Sequence, residues 1–282
     1  MRASSGRRAL SHAVVFLCGA AVVVALIPLI FIFVYVLKQG FSSLNLDFFT
    51  KTPKPVGEPG GGMANAIVGT LILVGIASCI AIPVGLLTGI HLSEYGKTRF
   101  ASAVRFSADV LNGVPSIVIG IFAYGLAVLP VHKFSALAGG LALGFMMIPI
   151  IARTTEELLK LVPGTMREGA LALGATRARA AFTVIVPAAL PGILTGILVA
   201  LARIAGETAP LLFTAFNNHY FSTRLHEPIA SLTVQIYSYA ISPYDDWHRQ
   251  AWAGAFVLVF VVFAFSVLAR TVTIRLERMH RS

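Results

Sequence analysis

Charge is scarce in this chain. Asp, Glu, Lys and Arg make up 12% of its 282 residues, about half the share of a soluble domain. That scarcity argues against a soluble enzyme. Cysteine is nearly absent: Cys18 and Cys79 each lie in an apolar run, so neither a structural disulfide nor a cysteine metal cluster is expected. The seven histidines are scattered, and none forms a helical metal pair. No G-x-x-x-x-G-K-[ST] stretch exists, so the chain cannot cradle a nucleotide triphosphate by that route. A nucleophile–base–orienter set is also missing, so no catalytic residue is assigned. No cofactor and no metal are expected in the chain itself.

What it has instead is apolar sequence, 57% of all residues, with a mean hydropathy of +0.83. A helix needs about 20 apolar residues to cross a hydrocarbon core. Six stretches qualify: 13–37, 65–92, 107–129, 135–155, 185–210 and 251–274. The first follows Arg7 and Arg8, as in a signal peptide, but it exceeds the roughly 7–15 residues of a signal core and no small-residue cleavage site follows. It is read as a retained first span. The expected fold class is therefore an all-α polytopic membrane protein with six transmembrane helices.

Lys and Arg set the orientation, because cytoplasmic loops carry them in excess. With the N-terminus in the cytoplasm, the inner segments hold fifteen: Arg2, Arg7, Arg8, Lys97, Arg99, Arg105, Arg153, Lys160, Arg167, Arg177, Arg179, Arg270, Arg275, Arg278 and Arg281. The outer segments hold only Lys38, Lys51, Lys54, Lys133, Arg224 and Arg249. Both termini are thus expected in the cytoplasm. The net charge of +10 then faces the anionic inner leaflet, and no nucleic-acid partner is needed to explain it. Of the two long outer segments, 38–64 has a flexible Pro- and Gly-rich composition. The other, 211–250, carries Asn217, Asn218, His219, Tyr220 and Trp247, enough aromatic surface to pack or to dock a partner.

The cytoplasmic loop after the fourth span has its own logic. Thr154 to Lys160 continues as an amphipathic helix until Pro163-Gly164 breaks it. Thr165-Met166-Arg167-Glu168 has the capping-box pattern, with Thr165 as cap and Glu168 at the third helical position. Gly174 is placed to end the short helix in the left-handed conformation, and Thr176 to cap a second one. A small helix held proud of the membrane can fit a groove on another protein. On capping alone, an ordinary amphipathic loop is the favoured reading. The spacing adds more: EGALALGATRARAAFTVIVP, Glu168 to Pro187, resembles the EAA signature of ABC-type importer permeases. Glu168, Ala170, Gly174 and Pro187 fall in register, Val184 and Val186 stand for Ile and Leu, and Gly169 replaces an Ala. The resemblance implies a type I ABC importer permease fold in which this loop takes the motion of a partner ATPase.

The fifth span, GILVALARIAGETAPLLFTAF, holds two charges within a membrane stretch. Arg203 and Glu207 are four residues apart, which places them on one helix face. Charge there is expensive and marks a partner or a watery path. Arg suits an oxyanion, giving two parallel hydrogen bonds and staying charged. The structural readings are an Arg that snorkels outward or a self-neutralising pair. In the third span, Asp109, Asn112 and Pro115 permit either a plain kink or a helix break that presents backbone N–H groups to an anion.

GVPSIVIGIFAYGL at 113–126 and RIAGETAPLLFTA at 203–215 resemble the permeases of phosphate importers, specifically their A-type subunit, over most of the chain from about 65 to 275. The family implies a bacterial plasma (inner) membrane location and a complex with a C-type permease, two ATP-binding subunits and an extracytoplasmic phosphate-binding protein, ATP and Mg being bound by the ATPases. Arg203, with Glu207 beside it, becomes the expected substrate-path residue. Thr165, Glu168, Gly169, Ala170, Gly174 and Pro187 become the expected coupling loop. The expected organisation is an N-terminal helix and outer loop at 1–64, a permease core at 65–275 with the coupling loop at about 156–184, and a basic tail at 276–282. A permease for sulfate or molybdate, an ion-driven secondary transporter acting alone, and a membrane anchor without a path are the competing readings.

Overall fold

In the computed structural model, residues 5–58 and 60–281 are described; Arg2 of the basic N-terminal segment, one residue of the 38–64 segment and the last residue of the basic tail lie outside them. Among the described residues, five helices are long and apolar enough to span a membrane, and a sixth span results if one bent pair counts as one. Among the described residues there is no strand.

The first helix, α1, runs Ser5–Ser43. It packs against the last, α12 (Asp245–Arg281). Tyr35 meets Trp252 edge-on at 5.0 Å, and a Cβ on Gly40 would lie 2.4 Å from Phe256 Cβ. The segment after α1 is not the free loop its composition suggests. Asn45 caps a short helix, α2 (Leu46–Thr50), by accepting from Phe48 N. Gly62 then lies so close to the α2 backbone that a Cβ would sit 2.3 Å from Asp47 O.

The centre is the pair α3 (Ala64–Glu94) and α6 (Ala136–Leu161). Lipid is as apolar as the helices, so close packing rather than the hydrophobic effect must hold them. Small residues recur every fourth position on α3, at Ala77, Ala81, Gly85 and Gly89, which is one ridge of a helix. A Cβ on Gly85 would be 2.7 Å from Ile151 Cβ, and one on Gly89 would be 2.5 Å from Thr155 Cβ. The α6 helix starts at Ser135, whose hydroxyl accepts from Ala138 N, and ends before Pro163.

The third span differs most from expectation. It is not one helix over 107–129 but two limbs, α4 (Arg99–Gly113) and α5 (Ser116–Ala123), the latter extended by a π-helical turn to Val128. They meet at an angle of 108°. Pro115 has no N–H and disfavours helical backbone at Val114, which stands extended at ψ 132°. This is a break, not a plain kink. The fifth span is also displaced. It starts with α8 (Arg177–Ala180), passes a π-helical turn, and continues as α9 (Val186–Ala205). Between α6 and α8 lies α7 (Gly164–Ala172). After α9 come α10 (Ala209–Thr214) and α11 (Leu232–Ala240), which precede α12.

Candidate translocation and coupling site

The α7 segment is built much as its sequence implies at its end, and differently at its start. Its N-cap is Pro163, with no side-chain cap bond, so the Thr165–Glu168 capping box is not made. Pro163 takes the position because its fixed φ suits a helix entry; Thr165 is already inside the first turn. The C-terminus closes as a Schellman motif: Ala175 N donates to Ala170 O at 3.1 Å and Gly174 N to Leu171 O at 2.9 Å. Gly174 supplies the required left-handed backbone at φ +83°. Thr176 then caps α8, accepting from Arg179 N at 3.3 Å.

No residue of α7 is buried. Thr165, Glu168 and Gly169 are exposed, and Ala170 is half-buried. Leu173, at the end of the helix, is 92% exposed, an unusual position for a leucine on a surface without a partner. One tie holds the knob to the bundle: Arg167 Nη2 donates to Glu94 Oε1 at 2.6 Å, linking α7 to the last turn of α3. Pro187 lies inside the continuous fifth span, two residues past its π-helical turn. Gly174→Ala keeps the fold but places a Cβ in left-handed backbone, at about 1 kcal/mol. We expect the thermal midpoint of the purified protein to fall by no more than a few degrees.

The α9 helix ends before Glu207. Gly206 N returns to Arg203 O, Glu207 N returns to Ile204 O, and the chain leaves the helix. Arg203 and Glu207 therefore do not share a helix face. Among the described residues they make no ion pair, which corrects the expected pairing. Arg203 is exposed in the last turn of α9, where a cation also suits the negative helix end. Glu207 is half-buried, its backbone carbonyl held by Thr233 Oγ1 at 2.8 Å. The segment that follows, α10, packs on α5 so closely that a Cβ on Gly120 would lie 2.6 Å from Pro210 Cα. The break after Arg203 and the limb beyond the Pro115 break are thus brought together.

A polar amide knot ties the segment after α10 to α3 and α11. Asn65 Nδ2 donates to Asn218 O at 2.6 Å, and Asn217 Nδ2 donates to Gln235 Oε1 at 3.0 Å. Of the aromatics in 211–250, Trp247 stacks on Tyr239 at 4.5 Å and Phe216 on Phe134 at 4.9 Å. Tyr220 remains 82% exposed and Phe221 55%.

One cluster escaped the sequence reading. Glu156 is fully buried in α6 and is surrounded by cations. Arg105 of α4 donates to Oε1 through Nε at 3.0 Å and Nη2 at 2.6 Å; Lys160 reaches the same oxygen; Arg153 donates to Oε2 at 2.6 Å. Arg153 also meets Asp109 of α4 at 2.9 Å. The network therefore clamps α4 to α6, and Asp109 belongs to it. The spacing Arg153, Glu156, Lys160 was visible as i, i+3 and i+4 steps, but nothing in it showed that Glu156 is the buried face.

Comparison with known proteins agrees with this geometry. Residues 81–279 match the family described as binding-protein-dependent transport system inner membrane component. The chain is 44% identical over 252 residues to the phosphate transport system permease protein PstA of Haemophilus influenzae, covering 89% of each. It is 49% identical over 242 residues to PstA of Xylella fastidiosa (strain 9a5c), covering 85% of this chain and 84% of that one. Among solved structures, the inward-facing MetNI methionine ABC transporter in its CY5 native crystal form aligns with a TM-score of 0.59 at 19% identity, over 76% of this chain and 94% of the other. That last likeness is one of fold.

Proposed function

The chain belongs to the family of binding-protein-dependent transport system inner membrane components, and from that premise we propose that it is the permease subunit of an ATP-driven phosphate importer in the bacterial plasma membrane. The observation that carries the proposal is α7, a helix with no buried residue, closed by its own Schellman motif and tied to the spans through Arg167 and Glu94. An unburied helix that exposes Met166 and Leu171 fits a groove on a partner. The EAA-like spacing from Glu168 to Pro187 and the transport family favour an ATPase as that partner. Phosphate is favoured as cargo by the names of the relatives, which include PstA proteins at 44% and 49% identity.

In this reading the complex contains a second, C-type permease, two ATP-binding subunits that hold ATP and Mg, and a phosphate-binding protein outside. Both termini and α7 lie in the cytoplasm, as the Lys and Arg bias directs. The binding protein docks on the outer segment, where Tyr220 and Phe221 are exposed. Closure of the ATPases on ATP moves α7, and Arg167 passes that motion to α3. The spans rock, and the path opens first outward, then inward. Arg203 offers a cation at the α9 break, and it holds the anion during passage.

Coupling of this kind is reciprocal. Loaded binding protein outside should therefore stimulate ATP hydrolysis inside. In liposomes holding the whole complex, we expect phosphate-loaded binding protein to raise hydrolysis severalfold, while sulfate and molybdate leave it at the basal rate. Stimulation by sulfate or molybdate instead would reassign the cargo. Uptake that persists without the ATP-binding subunits would overturn the importer reading itself.

A further inference from the structure

A cavity of about 780 Å³ lies behind α7, walled by the α3–α4 turn, α4, α6, α7 and α8. Five of its lining residues are cations: Lys97, Arg105, Lys160, Arg167 and Arg177. Glu94 is the one carboxylate in the lining. Arg105 and Lys160 are partly neutralised by Glu156 behind the wall, and Arg167 by Glu94. Lys97 and Arg177 make no ion pair among the described residues, and the Nε of Arg167 is buried without an acceptor. The wall therefore carries excess positive charge that the chain does not satisfy.

The position of that charge is informative. The α3 and α6 spans both end at this cavity, at Glu94 and Leu161, so it opens where a membrane meets the aqueous phase. Thr98, which lines it, is the N-cap of α4 and accepts from Ala101 N at 3.1 Å. The positive end of a 15-residue helix thus adds to the same wall. Phe100 is 67% exposed and Leu161 78%, giving apolar surface beside the basic wall. Guanidinium and ammonium groups gathered around a helix start suit phosphoryl oxygens. The volume is in the range that accepts a whole small ligand, about 300–1,000 Å³.

We propose that this cavity binds a phosphoryl-bearing anion, which bridges Lys97 of the α3–α4 turn to Arg167 of α7 and Arg177 of α8. The two sources of that chemistry are the headgroup of an anionic phospholipid and free phosphate on the α7 side. Either would brace the coupling helix against the spans, adding a second tie to the Arg167–Glu94 pair. The site is separate from Arg203, which sits at the far end of α9. It leans on the proposed function only in placing α7 at the ATPase contact.

The test reads binding directly on the purified, assembled complex in neutral detergent. Phosphatidylglycerol, phosphatidylcholine and radiolabelled inorganic phosphate are offered separately, with retained lipid counted by native mass spectrometry. We expect one phosphatidylglycerol held per copy of this chain, and none of phosphatidylcholine. Each cation near an anionic headgroup contributes roughly fivefold, so K97Q/R177Q should weaken binding roughly 25-fold, and the charge-keeping K97R/R177K should restore it. Phosphate retained with the same dependence, and unaffected by R203Q, would assign the source to the free anion. Equal binding of both anions to the complex and to K97Q/R177Q overturns the site. So does loss of the ATP-binding subunits from K97Q/R177Q with no change in anion binding, which would mean that an acidic segment of the ATPase fills the cavity. Because binding is measured without transport, failure here leaves the importer reading standing, and failure of the importer reading leaves this result intact.

Discussion

Replacing Arg203 by Gln in the assembled transporter should lower phosphate uptake roughly 100-fold while the complex still assembles. The size follows from two charge-assisted hydrogen bonds to the passing anion, at about 1.5 kcal/mol each. Assembly should survive because Arg203 is exposed and makes no ion pair among the described residues. Arg203→Lys should keep a fraction of the rate, since a point charge attracts the anion without the two-pronged geometry. Glu207→Gln gives a sharper comparison. The two side chains are not on one helix face, so Glu207 does not set the charge of Arg203 and its loss should affect uptake less. Normal phosphate uptake by R203Q would remove Arg203 from the path.

Glu156→Gln should have the largest effect on stability. The carboxylate is fully buried and accepts from Arg105, Arg153 and Lys160. Removing its charge leaves three cations facing one another at the junction of α4 and α6. Loss of one partner from a buried pair typically costs about 3–5 kcal/mol. The side chains of Arg105 and Arg153 are 24% exposed and that of Lys160 50%, so water relieves part of this and the low end applies, about 3 kcal/mol. The purified complex should unfold several degrees earlier and yield less assembled material. Arg105→Gln should be milder, because Glu156 keeps two cations, yet it should loosen the broken span by releasing α4. A thermal midpoint for E156Q equal to that of the unaltered protein would show that the clamp contributes nothing.

Both predictions depend on residues whose setting was legible to different degrees. Arg203 stood out in the sequence because a charge within an apolar run is rare whatever the fold. Its relation to Glu207 did not, because i and i+4 share a face only while the helix continues. Gly206 ends α9, and no local rule required it to do so there, since a Gly inside a membrane helix is commonly tolerated. Glu156 shows the reverse failure. Its local charge partners were evident from spacing, but the decisive donor, Arg105, comes from 51 residues away. Sequence spacing on one helix cannot say which side of that helix another will cover.

Local chemistry was more reliable where one residue carries the requirement alone. Gly174 takes left-handed backbone and Thr176 caps α8 as their residue types imply. The capping box at Thr165 failed because Pro163, two residues earlier, starts the helix first. Pro115 was recognised as a disruption, but the size of the bend, 108°, was not. A proline removes one donor and one conformation; how far the two limbs then swing depends on what they pack against. Here α4 is clamped to α6 by Arg105 and Arg153, and α5 is pressed by α10 at Gly120.

The sequence by itself determined that this chain is a helical membrane protein with apolar spans and a helix-forming loop of EAA-like spacing. Hydrophobic run length, the cost of charge in lipid and the backbone needs of Gly and Pro are properties of short segments. Only the tertiary structure decided that the third span is broken, that Arg203 and Glu207 part company, and that Glu156 is a buried clamp. It alone gathered Lys97, Arg167 and Arg177 around one cavity. Those features arise from contacts between segments distant in the chain, and they are fixed by how small residues such as Gly85, Gly89 and Gly120 let the helices approach.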